Sequence, residues 1–249
     1  MKKSLVLLLV LAMLTTLCSC DRNPNKIEGK GYDSPEEAIL AYAEALQKGD
    51  VDAILATFAV ETHVSNFDFE KYLERVRVYS SYSTYVLDST DDFTQSMNVI
   101  NRQYQISKSL TDLYLSMGDL EDYTTPMSIT GNPYSSADDL LDDLVIDDWM
   151  EILAGMEIGD VLELSDFPRS YGLDNSKDGL KKINKATAKY LGCDEVVSLA
   201  IELTIDGEDY YLCVDVACYD GKWYNSTPCG QLALLMGAPT YCGGLVPAE

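Results

Sequence analysis

The chain has 249 residues, with 41 acidic side chains against 18 basic ones and a single histidine, for a net charge of −23. A surface this acidic repels nucleic-acid phosphates and anionic lipid headgroups, so no nucleic-acid partner and no electrostatically held membrane association is expected. Cationic partners, divalent ions or plain solubility remain, and a solvated acidic exterior is the simplest of these.

The N-terminus carries a processing pattern. Lys2 and Lys3 precede an apolar run from Leu5 to Leu14, followed by small and hydroxyl residues, which is the layout of a secretory signal peptide. The run is too short to cross a hydrocarbon core of about 30 Å, which takes roughly 20 apolar residues. The segment "LCSC", Leu17 to Cys20, resembles the bacterial lipobox, with Leu three residues before the cysteine and a small residue just before it. That resemblance implies cleavage of residues 1–19, lipidation of Cys20, and anchoring to the outer side of a bacterial cytoplasmic membrane or to an outer membrane. Two or three acyl chains hold a protein durably where one holds it only marginally. The alternative is an ordinary secretory cleavage beside two incidental cysteines. Cleavage removes Cys18, two lysines and no acids, which takes the net charge from −23 to −25. Residues 20–33, with Pro24, Gly29, Gly31 and one isolated Ile27, read as the lipidated cysteine and a flexible tether; about 12 such residues reach near 20 Å.

Residues 34–249 read as one α+β domain. The stretch 34–118 is helical. "SPEEAILAYAEALQKGD" places Ser34 at a cap, Pro35 at the first helical position and Glu37 three residues after the cap, with Ile39, Tyr42, Ala43 and Leu46 on one face and Gly49 at the end. Asp50 caps a second helix bearing Val51, Ile54, Leu55 and Phe58. A third carries Phe69, Tyr72, Leu73, Val76 and Tyr79, and a longer one spans "FTQSMNVINRQYQISKSLTDLYLSM". The middle, 119–168, is acidic: between Lys108 and Arg169 lie fifteen acids and no base. "NSKDGLKKINKATAKYLG" follows, with Leu180, Ile183, Tyr190 and Leu191 on one helix face and Lys177, Lys181, Lys182, Lys185 and Lys189 on the other; the expectation is that this basic helix packs on the acidic segment, with a basic binding face for an outside partner as the alternative.

From residue 195 the period changes to two. Val197, Leu199, Ile201, Leu203 and Ile205 alternate with Ser198, Ala200, Glu202 and Thr204, then Asp206-Gly207 turns into "YYLCVDVACY" and Asp220-Gly221 into "KWYNS". The basic helix and an antiparallel meander thus occupy 176–227, with one more strand from "DVLEL" and a C-terminal tail at 228–249. The helical hairpin over 34–60 and the meander over 195–227 ending in "YDGKWY" resemble the nuclear-transport-factor-two-like superfamily. The resemblance implies a sheet curled around helices into a cone with a pocket, here with an acidic helical insertion.

Chemistry is sparse. His63 has no cysteine or histidine at zinc-ligand spacing, so no metal site is expected, and no cofactor motif is present. Asp174, Ser176, Asp178 and Gly179 mimic the first half of a calcium loop, but Lys185 stands where the bidentate carboxylate belongs. Cys193, Cys213, Cys218, Cys229 and Cys242 follow Cys20; Cys229 and Cys242, flanking the small helix "GQLALLMG", are the candidate disulfide, with buried free thiols as the equal alternative. One face of "YYLCVDVACY" carries Tyr211, Cys213, Asp215, Ala217 and Tyr219. On a concave sheet Asp215 is the candidate general base or ligand contact, with Tyr211 and Tyr219 beside it; the alternative is the wet side of a half-buried sheet. The reading is a lipid-anchored extracytoplasmic binding or accessory module whose small-molecule, glycan or protein partner is unknown. An enzyme using Asp215 as base, and a structural envelope protein, are the other classes.

Overall fold

Helix α1 (Pro35–Gln47) starts where its capping chemistry dictates. Ser34 Oγ accepts the Glu37 N–H at 3.2 Å, and the Glu37 carboxylate reaches back to the Asp33 N–H at 3.1 Å. Ile39, Tyr42, Ala43 and Leu46 are buried along its inner face. Gly49, at φ +61°, turns the chain, and Asp50 Oδ1 accepts the Ala53 N–H at 3.0 Å to open α2 (Val51–Ala56). Then come α3 (Glu61–Asn66), α4 (Phe69–Val76), α5 (Asp92–Met117) and α6 (Trp149–Ala154). The computed structural model describes residues 26–76, 86–88, 90–117, 149–167, 177–238 and 242–248.

The second half is a sheet. Strands β1 (Glu157–Leu162), β2 (Glu195–Ile205), β3 (Glu208–Tyr219) and β4 (Lys222–Pro228) pair antiparallel in that order, and β5 (Leu245–Pro247) also pairs with β3. Both hairpin turns hold two consecutive residues at positive φ: +52° and +83° at Asp206-Gly207, and +50° and +73° at Asp220-Gly221. β2 occupies one edge of β3 along almost its whole length, so β4 (opposite 214–219) and β5 (opposite 210–212) share the other edge end to end. Helix α7 (Lys177–Leu191) precedes β2, and the short α8 (Gln231–Leu235) lies between β4 and β5. The fold is α+β, with N-terminal helices followed by an antiparallel, unclosed sheet.

The sheet is covered on both faces. On one, Leu199, Ile201, Leu203, Ile205, Leu212, Val214 and Val216 pack with the inner side of α1 in the main core. On the other, Tyr211 and Cys213 pack with Leu180 of α7 and Leu232 and Ala233 of α8, while Ala217 and Tyr219 pack with Ala188 and Leu191 of α7. Sequence alternation left this second face as the lining of a concave pocket or as a wet surface. Instead α7 and α8 lie on it, and Tyr211, Cys213, Asp215, Ala217 and Tyr219 are each 9% exposed or less.

Residues 26–33 also differ from expectation. Read as tether, they are tied to the domain: Gly29 N–H donates to Ala56 O at 2.8 Å, and Tyr32 exchanges two backbone hydrogen bonds of 2.9 Å with Trp223. The Glu28 carboxylate, buried, accepts the Val60 and Thr62 N–H groups and the Thr62 hydroxyl, and Glu61 in return accepts the Ile27 and Glu28 N–H groups. The five lysines of α7 are exposed as expected. Residues 1–25, Cys20 among them, Tyr79, the calcium-like Asp174 and Ser176, and most of the acidic middle lie outside the described residues, and with them the pairing expected for the α7 lysines.

Candidate functional site

Asp215 sits mid-strand on β3, opposite Ser198 of β2. Ser198 Oγ lies 2.6 Å from Asp215 Oδ1 and 3.2 Å from the side-chain oxygen of Asn184 on α7; its one proton goes to the closer carboxylate. The same Oδ1 accepts the Gln231 N–H at 3.0 Å. Gln231 is the first residue of α8, whose N-cap is Gly230 and so has no side chain to offer. Asp215 therefore caps α8 from the neighbouring strand. Gly230 is required for this approach: a Cβ there would stand 2.7 Å from the Asp215 N and 2.8 Å from its Oδ1. Burial pushes the Asp215 carboxyl up to about 6, against the pull of its two hydrogen bonds. At 3% exposure the carboxylate joins β2 and the start of α8 to β3.

The other sequence candidates do not gather around it. The Tyr211 ring packs edge-on against Phe167 with centroids 5.0 Å apart, and Tyr219 packs against Tyr224 at 6.4 Å. The two tyrosines are eight positions apart along the strand, about 26 Å at the usual rise, so no small ligand touches both. Cys229 and Cys242 are brought together, sulfur to sulfur at 3.6 Å. His63 is buried on α3, where desolvation and the nearby Arg102 hold it neutral. Among the described residues, no group of three His, Cys, Asp or Glu side chains is arranged to hold a metal ion. A surface depression of about 560 Å³ between α6 and the β2–β3 turn is lined by Glu151, Glu157 and Asp206 with Thr204 and glycine backbone.

Sequence reasoning also missed a buried cation. Arg102 of α5 is 3% exposed and reaches the edge where residues 57–60 run beside β4. Its Nε donates to Ala59 O at 3.1 Å, one terminal nitrogen to Ser226 O and the other to Gln105 Oε1 at 2.7 Å. No carboxylate is among these partners, and burial lowers the guanidinium to about 10. Around it the His63 Nδ1, Tyr219 hydroxyl and Ser226 Oγ are buried with no hydrogen-bond partner among the described residues, and the charge of Arg102 bears on both His63 and Tyr219. Spacing carried a signal for this residue: Asn98, Arg102, Ile106 and Leu110 recur every four residues, so Arg102 shares the buried face of α5.

No family model and no curated protein matches the chain. Among solved structures, a cystatin-like protein from Ruminococcus gnavus ATCC 29149 is similar at a TM-score of 0.49 and 15% identity, over 86% of this chain. This chain spans less than half of that one, 44%.

Proposed function

We propose that this is a lipid-anchored extracytoplasmic protein whose folded domain is a non-catalytic binding or accessory module. The observation that carries the reading is the segment 1–20: two lysines, an uncharged apolar run, and Leu17-Cys18-Ser19-Cys20. No helix among the described residues is long and apolar enough to cross a membrane. Residues 27–29 are bonded to the domain, so fewer than ten residues separate Cys20 from it and the domain is held close to the bilayer. The non-catalytic part is supported by how the buried charges are used: Asp215 is engaged by Ser198 and by the start of α8, and Arg102 by backbone carbonyls of two sheet-edge segments. A general base must reach a substrate proton, and a carboxylate 3% exposed under two helices offers no such approach.

Mass spectrometry of the mature N-terminus, together with fractionation of wild type and Cys20→Ala, tests the proposal. A diacylated or triacylated Cys20 and a Cys20→Ala variant lost from the membrane fraction are expected. An N-terminus beginning elsewhere, or one without lipid, refutes the anchor.

A further inference from the structure

The α8 excursion leaves and rejoins the sheet at two cysteines that the proposed function does not use. β4 ends at Pro228, and the chain departs through Cys229 at φ +60°, a left-handed conformation uncommon for a residue with a side chain. After α8 it returns through Cys242 to place β5 on the same edge of β3 that β4 has just vacated. Backbone bonds fix both ends to one residue of β3: Gly230 N–H donates to Cys213 O at 3.1 Å, and Cys213 N–H donates to Gly244 O at 2.7 Å. The junction is tight enough to require glycine, since a Cβ on Gly244 would stand 2.6 Å from Cys213 O and 2.8 Å from Cys229 N.

This geometry sets the Cys229 and Cys242 sulfurs 3.6 Å apart, in van der Waals contact across the neck of the excursion. Cys229 is partly exposed, whereas Cys242 is 5% exposed and its sulfur accepts the Gly244 N–H at 3.3 Å. The remaining nearby thiol, Cys213, is fully buried beneath them. Cys229 is thus the more exposed of the two, and Cys242 lies in contact with it.

We propose that Cys229 and Cys242 are a disulfide-forming pair that staples the α8 excursion shut by exchange with external disulfides. The partly exposed Cys229 attacks an external disulfide R–S–S–R, forming Cys229–S–S–R, and its proton leaves with the first RSH. The Cys242 thiolate, supported by the Gly244 N–H, then attacks the Cys229 sulfur across 3.6 Å and expels the second RS⁻, which takes up the proton Cys242 released. The pair gives up two electrons and two protons, and R–S–S–R is reduced to two RSH. The bond closes a 14-residue loop from 229 to 242, which restricts the unfolded chain and stabilises the fold.

The test uses the purified full chain, exposed to glutathione disulfide or to dithiothreitol. No Lys or Arg follows Lys222, so trypsin leaves both cysteines in the peptide Trp223–Glu249. That peptide is expected to lose two hydrogens after oxidation, and chymotrypsin, cutting between the cysteines, to leave fragments joined through 229 and 242. The oxidised protein should melt at a higher temperature than the reduced one. Cys229→Ser and Cys242→Ser should each erase that difference, while Cys193→Ser keeps it. Two unmodified thiols after oxidation, a stable glutathione adduct that Cys242 does not resolve, or a bond from either cysteine to Cys213 would overturn the proposal.

Discussion

The two faces of β3 are both buried, yet they are built on opposite principles. The inner face, with Leu212, Val214 and Val216 at 0% exposure, meets α1 through apolar contact alone. The outer face alternates apolar and polar groups, and at its centre Asp215 accepts from Ser198 of β2 and from the first N–H of α8, with the Asn184 side-chain oxygen of α7 3.2 Å from the Ser198 hydroxyl. The inner face gains stability in proportion to the area it removes from water. The outer face gains position, because a carboxylate bonded to Ser198 and Gln231 fixes where α8 begins in a way that apolar contact does not.

The comparison can be broken first on the inner side. Leu212→Ala leaves a cavity in the main core, and urea unfolding should show a loss of about 3–4 kcal/mol. On the outer side the larger effect is expected in pH dependence. Asp215, raised to about 6, keeps a proton in the folded state that the unfolded chain has already released. Its contribution to stability is therefore greatest below about pH 4 and is lost as pH rises from about 4 to 6. His63, held neutral when folded, acts in the opposite direction: the unfolded chain takes up a proton below about pH 6.5 that the folded one refuses, so stability is lost as pH falls. Wild type should show a shallow profile in which the two effects offset each other. Asp215→Asn, which cannot titrate, should expose the acid-side loss, its stability relative to wild type changing by about 2 kcal/mol between pH 7 and pH 4.5. His63→Gln should tilt the profile the other way. Urea unfolding across this range reads both.

Smaller effects are expected from replacing Arg102, and from a second substitution at Asp215. Arg102→Met removes the donors that satisfy Ala59 O and Ser226 O, and a loss of about 2 kcal/mol in urea unfolding is expected. At pH 7, Asp215→Ala should cost about 1 kcal/mol more than Asp215→Asn, because only the amide retains an oxygen for Ser198 and the Gln231 N–H.

Much of this architecture was legible in the sequence because its causes are local. Ser34, Pro35 and Glu37 are within one turn of each other, and Asp206-Gly207 and Asp220-Gly221 fix their hairpins through two dihedral angles each. The alternation along β3 correctly divided Leu212, Val214 and Val216 from Cys213, Asp215 and Ala217. Period two assigns residues to faces but does not say what covers a face, and a buried face with a polar centre has the pattern of a wet one. The covering helices α7 and α8 were each readable; their placement on the sheet depends on long-range contacts. Glu28 shows the same limit, being one acid among 41 until Val60 and Thr62 fold back to meet it.

Asp215, at 3% exposure, is sealed inside the fold rather than open to solvent. NMR titration of its side-chain carboxyl tests this most directly. A midpoint near 6, with the Gln231 amide shifting in step, is the expected result. A midpoint near the ordinary aspartate value of about 4, independent of Gln231, would show an exposed carboxylate and contradict the account.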